Sequence, residues 1–161
     1  MQLGKSINRS LYIFDLDGTL ALIEHRQHFI DRSQKKQHWK SFYEACDKDL
    51  PNIPVISILN MLLQQEFDVQ IWSGRSSIVR GKTLDWIAGH TQLSRAAADD
   101  ALTMREEGDS TPDNQLKQSW LNRMLIEDRD RLVAVFDDRQ KVVDMWRANG
   151  IVCFQVALGD F

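Results

Sequence analysis

The sequence predicts an α/β fold, a Rossmann-like parallel sheet with helices on both faces and a minimal helical cap. Five short apolar segments alternate with longer segments of helical periodicity. This alternation is typical of a parallel sheet covered on both faces, because each crossover helix returns the chain to the same end of the sheet. Two of the apolar segments run directly into acidic residues, at the edge where open α/β sheets bind ligands.

The five apolar segments are predicted to be the strands of one sheet. In chain order they are Leu11–Phe14, Val69–Trp72, Ala101–Met104, Leu132–Phe136 and Ile151–Val156. Right-handed, uncrossed connections restrict the possible arrangements, and we expect the spatial order 5-4-1-2-3 when the strands are numbered along the chain.

Four intervening segments carry apolar residues at the period of a helix. They are Val55–Gln65, Ile78–Ile87, Gln115–Ile126 and Gln140–Ala148. Gly89 and Gly150 stand where glycine commonly ends a helix, so both are predicted as helix C-caps.

Residues 20–52, which we call the flap, follow neither pattern. They are polar and rich in charge, with Trp39, Phe42 and Tyr43 as apolar anchors. The segment is too short for an independent domain, so we expect one domain over residues 1–161 with the flap as a small helical cap.

The composition is that of a soluble globular protein, with 43% hydrophobic and 27% charged residues. The formal net charge of −3 gives no global sign of nucleic-acid binding. Cys46 and Cys153 lack metal-type spacing and are expected to be free thiols in a reducing compartment. Met1 to Ser10 form a polar segment without the apolar stretch of a secretion signal, and no apolar run has membrane-spanning length. We therefore expect a cytoplasmic protein that does not associate with membranes.

The segment Asp15-Leu16-Asp17-Gly18-Thr19 follows the first predicted strand. Two carboxylates held close together raise each other's pKa, and a hard cation such as Mg²⁺ relieves their repulsion. A carboxylate can also attack phosphorus to form an aspartyl-phosphate, while a second carboxylate transfers protons. Gly18 permits the tight turn that follows. The alternative interpretation is an Asx-type turn without chemistry.

Ser73-Gly74-Arg75 follows the second predicted strand and offers a hydroxyl, backbone N–H groups and a guanidinium to a phosphate. The alternative is a strand-to-helix turn with Ser73 as the helix cap. Lys117 lies on a helix opened by Asp113 and Asn114, where it can neutralise a phosphoryl group. A surface lysine and an N-cap aspartate are the alternatives at Lys117 and Asp113.

Asp137 and Asp138 follow the fourth predicted strand and repeat the argument for a metal. Considered together, the motifs resemble the haloacid dehalogenase superfamily of phosphohydrolases over nearly the whole chain. More narrowly, they resemble the 3′-phosphatase domain of phage polynucleotide kinase/phosphatases. The matching stretches are Phe14–Ala21, Asp47–Pro51, Ser73–Arg75, Arg105–Asp109, Asp137–Arg139, Met145–Arg147 and Gln155–Phe161.

The resemblance implies roles for individual positions. Asp15 would be the nucleophile, and Asp17 the general acid/base. The other implied sites are a Mg²⁺ site of Asp15, Asp17 (through its backbone carbonyl), Asp137 and Asp138, a phosphate site of Ser73, Gly74 and Lys117, and substrate-binding positions at Arg26, Arg75, Arg105 and Asp113. The sequence departs from the family pattern at Ser110-Thr111-Pro112, where a basic residue is expected near Thr111.

A small flap leaves the mouth of the sheet open, and an open site admits a strand end where a large lid would enclose a metabolite. Arg26, Arg75 and Arg105 can grip flanking phosphates, although ordinary surface or ion-paired arginines are the alternative. The three flap aromatics are predicted mainly as core anchors, with base stacking as the alternative. His25 and His28 are expected on a solvated face.

The sequence therefore predicts a Mg²⁺-dependent phosphatase that removes a terminal 3′-phosphate from a polynucleotide through an aspartyl-phosphate. A kinase or ligase partner on another chain is compatible with this prediction. One alternative is a phosphatase of nucleotides or other small phosphoesters. The other is a non-catalytic, receiver-like phosphoacceptor, which Asp17 disfavours because a second carboxylate would shorten the life of the acyl-phosphate.

Overall fold

The structure, a computed structural model, describes residues 9–159. Parts of the polar segment Met1 to Ser10 and of the terminal motif Gln155–Phe161 therefore lie outside the described residues. Of the helices within residues 9–159, none has the length and apolar character needed to cross a membrane.

A five-stranded parallel sheet forms the centre of the fold. Its strands are β1 (Leu11–Phe14), β4 (Asp68–Ser76), β5 (Leu102–Arg105), β6 (Leu132–Arg139) and β7 (Cys153–Gly159). Their spatial order is β5-β4-β1-β6-β7, which confirms the predicted order and the α/β fold class. Two further short strands, β2 (Ala21–Leu22) and β3 (Leu50–Pro51), pair antiparallel where the flap leaves and rejoins the sheet.

Seven α-helices occur within the described residues. They are α1 (Trp39–Glu44), α2 (Ile53–Gln64), α3 (Arg80–His90), α4 (Arg95–Ala101), α5 (Asp113–Arg123), α6 (Ile126–Arg131) and α7 (Gln140–Ala148). Three 3₁₀ segments complete the local structure, namely Glu24–Ile30, Cys46–Lys48 and Ser77–Val79.

Alternate residues of the central strands face two separate cores. Phe14 and Ile71 pack in one core with the apolar residues of α2, α3 and α4. Ile13 and Trp72 pack in the other with those of α5 and α7. This alternation follows from the period of a strand, and it holds the sheet between two layers of helices.

Two strands run further than the apolar pattern predicts. The strand predicted as Val69–Trp72 continues as β4 to Ser76, so Ser73-Gly74-Arg75 lies within a strand and not after it. The strand predicted as Leu132–Phe136 likewise continues as β6 to Arg139. In both extensions the register with the neighbouring strand shifts, as at a β-bulge. Bulges redirect side chains at sheet edges, which explains how polar residues occupy these strand ends.

Some of the predicted helices and helix ends are confirmed, and others are wrong. The prediction for Gln140–Ala148 is confirmed by α7, and Gly150 follows it at φ +75°. Gly89 is not a C-cap, since α3 continues to His90. The segment predicted as Gln115–Ile126 is divided between α5 and α6. Helix α4 was not predicted, because its sequence is alanine and charge without a large apolar stripe.

The flap is compact and lies beside the carboxyl end of the sheet. Ile23, Ile30 and Phe42 form its own small buried cluster. Phe42 is only 2% exposed, whereas Trp39 is 46% exposed, so these two anchors have different surroundings.

Candidate active site

A cavity of about 1010 Å³ lies between the carboxyl ends of the strands and the flap. Asp15 and Asp17 line it from the segment that follows β1, and Arg105, Asp113 and Arg139 line it from neighbouring elements. This is the edge of a parallel α/β sheet where ligands bind.

Asp15 lies at the centre of a buried group that we call the acidic cluster: Asp15, Lys117, Asp137 and Asp138. Lys117 Nζ donates to Asp15 Oδ1 at 2.6 Å and to Asp137 Oδ2 at 2.8 Å. Lys117 lies on a helix, α5, as predicted. Its side chain reaches the ends of the strands from there. Residues far apart in sequence thus meet at one sheet edge.

The acidic cluster holds more negative than positive charge. Burial raises the pKa of Asp15 well above its usual value, and Asp137 and Asp138 raise it further against the opposing effect of Lys117. Burial, reinforced by Asp137, raises the pKa of Asp138 to about 7. Burial lowers the pKa of Lys117, but the charges of Asp137 and Asp15 outweigh this effect and raise it above its ordinary value. The lysine therefore stays charged beside three carboxyl groups, two of which have a raised pKa.

The donor set of this cluster fits a divalent cation. Asp15, Asp137 and Asp138 each offer an oxygen, and these oxygens lie within 4.8 Å of one another. Within residues 9–159, Asp138 Oδ1 is buried and has no hydrogen-bond partner. Several carboxylate oxygens converging in this way are typical ligands of a hard ion such as Mg²⁺.

Asp17 belongs to a second group, which we call the arginine cluster: Asp17, Arg26, Asp49 and Arg75. Asp17 Oδ1 accepts hydrogen bonds from Arg26 Nη2 and Arg75 Nε, both at 2.7 Å. Gly18, at φ +83°, turns the chain after Asp17, and its N–H donates to Ala21 O. A left-handed φ at this position favours glycine, as the sequence predicted for the turn.

The arginine cluster has the opposite effect on its carboxylate. Burial raises the pKa of Asp17, but the charges of Arg75 and Arg26 more than compensate and lower the pKa below its usual value. Asp17 is thus held ionised in this arrangement, only two residues after a carboxylate whose pKa is raised.

Asp49 completes the arginine cluster, although no sequence pattern predicted it as a site residue. It is 3% exposed, and its carboxylate accepts from Arg26 Nε at 2.6 Å and from Arg75 Nη2 at 2.5 Å. His25 and His28 are both exposed, as predicted, and His25 Nε2 also lies 2.8 Å from Asp49 Oδ1. The available signal was the matching stretch Asp47–Pro51, which contains Asp49 but does not reveal its partners.

Arg26 and Arg75 are completely buried. Their guanidinium groups face Asp17 and Asp49, and neither residue lines the cavity as described within residues 9–159. Their predicted contact with substrate therefore stays a prediction, whereas their contact with Asp17 is part of the structure.

Arg105 and Arg139 share one carboxylate. Asp113 Oδ1 accepts from Arg105 Nη2, and Asp113 Oδ2 accepts from Arg139 Nη1, each at 2.5 Å. Asp113 is the first residue of α5 and makes no side-chain cap, so the alternative N-cap role does not apply. Arg105 also donates to the carbonyl of Thr111 at 2.6 Å. Arg139 was not among the predicted site residues, although it lines the cavity.

Ser73 and Gly74 occupy the bulged end of β4. Ser73 is completely buried and accepts a hydrogen bond from the backbone N–H of Arg75 at 3.2 Å, so it does not cap a helix. Gly74 lines the cavity, and a Cβ added there would come within 2.7 Å of Asp113 Oδ1. Only glycine fits this position without displacing Asp113.

Two aspartates after β1, a buried lysine on α5 and a further acidic pair at the end of β6 lie at one edge of the sheet, an arrangement typical of phosphohydrolases of the haloacid dehalogenase (HAD) class. Residues 9–161 match the family HAD_PNKP, described as "Polynucleotide kinase PNKP phosphatase domain". The chain belongs to this family and is therefore a HAD-type phosphatase domain, a phosphoric monoester hydrolase. Membership of a phosphatase family argues against the alternative of a non-catalytic, receiver-like phosphoacceptor domain.

Individual relatives agree with this family. A "Putative bifunctional polynucleotide kinase/RNA ligase" of Autographa californica nuclear polyhedrosis virus is 30% identical over 134 residues, which are 83% of this chain and 17% of the viral protein. A chain in the structure of a Pnkp1/Rnl/Hen1 RNA repair complex is 31% identical with a TM-score of 0.76, covering 100% of this chain and 47% of that one.

A class C acid phosphatase from Bacillus anthracis, with tungstate bound, shares the fold alone. It is 12% identical with a TM-score of 0.62, covering 97% of this chain and 70% of the phosphatase chain. The chain thus spans about half of the repair-complex chain and less than a fifth of the viral relative.

Proposed function

We propose that this domain is a Mg²⁺-dependent polynucleotide 3′-phosphatase that works through an aspartyl-phosphate on Asp15. The observation that carries the proposal is the pairing of two unlike aspartates on one cavity. Asp15 is held by Lys117 beside Asp137 and Asp138, and Asp17 is held by Arg26 and Arg75.

In the first step, an oxygen of the Asp15 carboxylate attacks phosphorus. The bond between phosphorus and the 3′ oxygen of the polynucleotide breaks, and Asp17 donates a proton to that leaving oxygen. In the second step, Asp17 takes a proton from water, which attacks the phosphoryl group and breaks its bond to Asp15. Inorganic phosphate leaves, Asp15 is again a free carboxylate, and Asp17 again holds a proton, as it did at the start of the first step.

The arginine cluster supports the second step directly, since it holds Asp17 ionised and ready to accept a proton. The first step needs the protonated form. A phosphate dianion brought beside Asp17 favours that form, because like charges raise a carboxyl pKa. The substrate itself thus opposes the effect of Arg26 and Arg75. Asp17 takes up one proton from solvent as the phosphate binds and releases it to solvent after inorganic phosphate leaves.

Lys117 would neutralise the transferring phosphoryl group from its position beside Asp15, with backbone N–H groups near Ser73 and Gly74 as further donors. Asp15, Asp137 and Asp138 would hold the metal, together with the backbone carbonyl of Asp17. When bound, Mg²⁺ supplies positive charge that shields the phosphate from the attacking carboxylate.

Three observations favour a polynucleotide over a small ester. The family is that of polynucleotide kinase phosphatase domains. Similar chains occur in a protein named for polynucleotide kinase and RNA ligase and in RNA repair complexes. The cavity is wide and bordered by Arg32, Lys40 and Lys141, whose charges suit a phosphate backbone. We propose that the domain heals nucleic-acid ends alongside kinase and ligase activities on the same or another chain.

The test is phosphate release from 3′-phosphorylated DNA and RNA oligonucleotides, with Mg²⁺ and with EDTA, and from the same oligonucleotides phosphorylated at the 5′ end. We expect Mg²⁺-dependent release from 3′ ends only, with an acid-stable, hydroxylamine-sensitive phosphoprotein in the wild type and none in Asp15→Asn. Equal activity on 3′ mononucleotides and oligonucleotides would favour the small-phosphoester alternative. Release that is unaffected by EDTA would contradict the metal.

A further inference from the structure

One exposed aromatic side chain in the cavity has no part in the chemistry proposed for the acidic and arginine clusters. Trp39, on helix α1 of the flap, is 46% exposed and lines the same cavity as Asp15 and Asp17. An exposed tryptophan at the mouth of a charged site leaves apolar surface in water at a cost, unless a ligand covers it.

The three flap aromatics differ in solvent exposure. Phe42 is buried and lies edge-to-face with Trp39, their ring centroids 5.8 Å apart. Tyr43 is partly buried, and its ring lies 6.0 Å from that of Trp39 at an interplanar angle of 31°. All three residues line the cavity, but Phe42 is the buried core anchor that the sequence predicted, whereas Trp39 is exposed and Tyr43 is partly exposed.

The position of these rings is fixed by the catalytic groups. Arg26, which binds Asp17, lies 4.1 Å from the centre of the Phe42 ring and donates to the Phe42 carbonyl at 3.2 Å. The hydroxyl of Tyr43 lies 3.5 Å from the carbonyl of Gly74 on β4. Helix α1 is thus attached both to the proton-transfer residue and to the sheet, so Trp39 is held in place before any ligand arrives.

Charge beside Trp39 suits the backbone of a nucleic acid. Lys40 follows Trp39 and Arg32 lies on the same flap, and both are exposed and line the cavity. The ion pair of Lys40 with Glu44 is long, at 3.8 Å, and exposed, so it opposes a phosphate contact only weakly. Aromatic rings bordered by cations are the usual elements of single-strand binding sites.

We propose that Trp39, supported by Tyr43, is a stacking surface for the nucleobase of the nucleotide that carries the 3′-phosphate. The proposal rests on the proposed function and adds a subsite to it. With its phosphate at Asp15, the terminal nucleotide places its base against the flap, and the next phosphate towards the 5′ side meets Lys40 and Arg32. Because every base has a flat aromatic face, this subsite selects for the presence of a base and not for its identity.

The experiment compares kcat/KM for a 3′-phosphorylated oligonucleotide with that for the same oligonucleotide whose terminal nucleotide is abasic. The ratio of the two values is the base preference. We expect the base preference of the Trp39→Ala variant to be about 5- to 150-fold smaller than that of the wild type, the range expected for one stacked base. Trp39→Phe should retain most of it, since an aromatic face remains.

Phe154→Ala is the matched control. Phe154 is an exposed aromatic, at 53%, but it lies on β7 and is not among the cavity-lining residues described within 9–159. Its base preference should equal that of the wild type. Thermal unfolding of each variant shows whether it is folded.

A second readout does not depend on turnover. In the Asp15→Asn background, an oligonucleotide with 2-aminopurine at its 3′-phosphorylated end should lose fluorescence on binding, because stacking quenches this base. The added Trp39→Ala substitution should remove the quenching.

The outcomes separate the two proposals. A wild type that is active on both oligonucleotides, with a base preference unchanged in Trp39→Ala, overturns the stacking surface and leaves the 3′-phosphatase standing. A wild type that cleaves glycerol phosphate but neither oligonucleotide overturns the 3′-phosphatase, and the stacking surface with it.

Discussion

The two ionic clusters on either side of Leu16 contain the same residue type in opposite situations. In the acidic cluster, three buried carboxylates surround one lysine, and the pKa of Asp15 is raised. In the arginine cluster, Asp17 and Asp49 are matched by Arg26 and Arg75, and the pKa of Asp17 is lowered. The comparison teaches that residue identity at a strand end is not enough to assign a role, since the neighbours supplied by other elements decide it. The acidic cluster has converging carboxylate oxygens that could hold a cation, whereas the two carboxylates of the arginine cluster are already paired with two arginines.

The largest expected effect comes from replacing Asp15, the proposed nucleophile. Asp15→Asn keeps the size of the side chain and reduces repulsion in the acidic cluster, so the fold should persist. Turnover of a 3′-phosphorylated oligonucleotide should fall by roughly 10⁴-fold or more, the size of effect that loss of a central catalytic group produces. The measurement is single-turnover phosphate release alongside thermal unfolding. A folded variant with near-normal turnover would assign the attack to another group.

The next effect concerns the arginine cluster and is mainly one of stability. Asp49→Asn leaves Arg26 and Arg75 buried with one carboxylate fewer, and breaking a buried ionic group in this way costs about 3–5 kcal/mol. Urea unfolding measures the change. Asp85→Asn is the control, because Asp85 and its partner Arg95 have side chains 69% and 57% exposed. Such a pair contributes about 0–1 kcal/mol. Equal effects of the two substitutions would contradict the structural importance of Asp49.

A smaller effect is expected from the metal site. Mg²⁺ at 100 times its dissociation constant should stabilise the wild type by about 2.7 kcal/mol, since it binds the folded state alone. Asp138→Asn should remove most of this gain, because it neutralises one of the three converging carboxylates. Thermal unfolding with and without MgCl₂ measures it. Asp130→Asn, an exposed position on α6, should keep the full Mg²⁺ response.

The smallest effect is expected in the thiol reactivity of Cys46 and Cys153, which lie in the two apolar cores. Burial raises the pKa of the Cys46 thiol and raises that of Cys153 to about 12. Both thiols are buried and free. We expect neither to react with a thiol reagent such as DTNB at neutral pH until the protein is unfolded. Rapid labelling of the native protein would show that one of these cores opens locally.

The sequence predicted the fold and the acidic cluster well, for a physical reason. Alternation of apolar strands and amphipathic helices predicts a parallel sheet, and parallel strands bring their carboxyl ends to one edge, so Asp15 and Asp138 were expected to lie close together. The arginine cluster was not predictable in this way. Asp49 lies in a polar segment without periodicity, and its contacts with Arg26 and Arg75 span 23 and 26 residues. No local pattern encodes such contacts, and the bulged extension of β4 through Ser73, Gly74 and Arg75 was missed for the same reason.

The grip of Arg26 on both Asp17 and Phe42 has a consequence for access. A movement of helix α1 away from the sheet would separate Phe42 from Arg26, which stays bonded to Asp17 and Asp49. We therefore expect the flap to keep its place when a ligand binds. On the proposed function, a single-stranded 3′ end should then be a better substrate than a blunt duplex end.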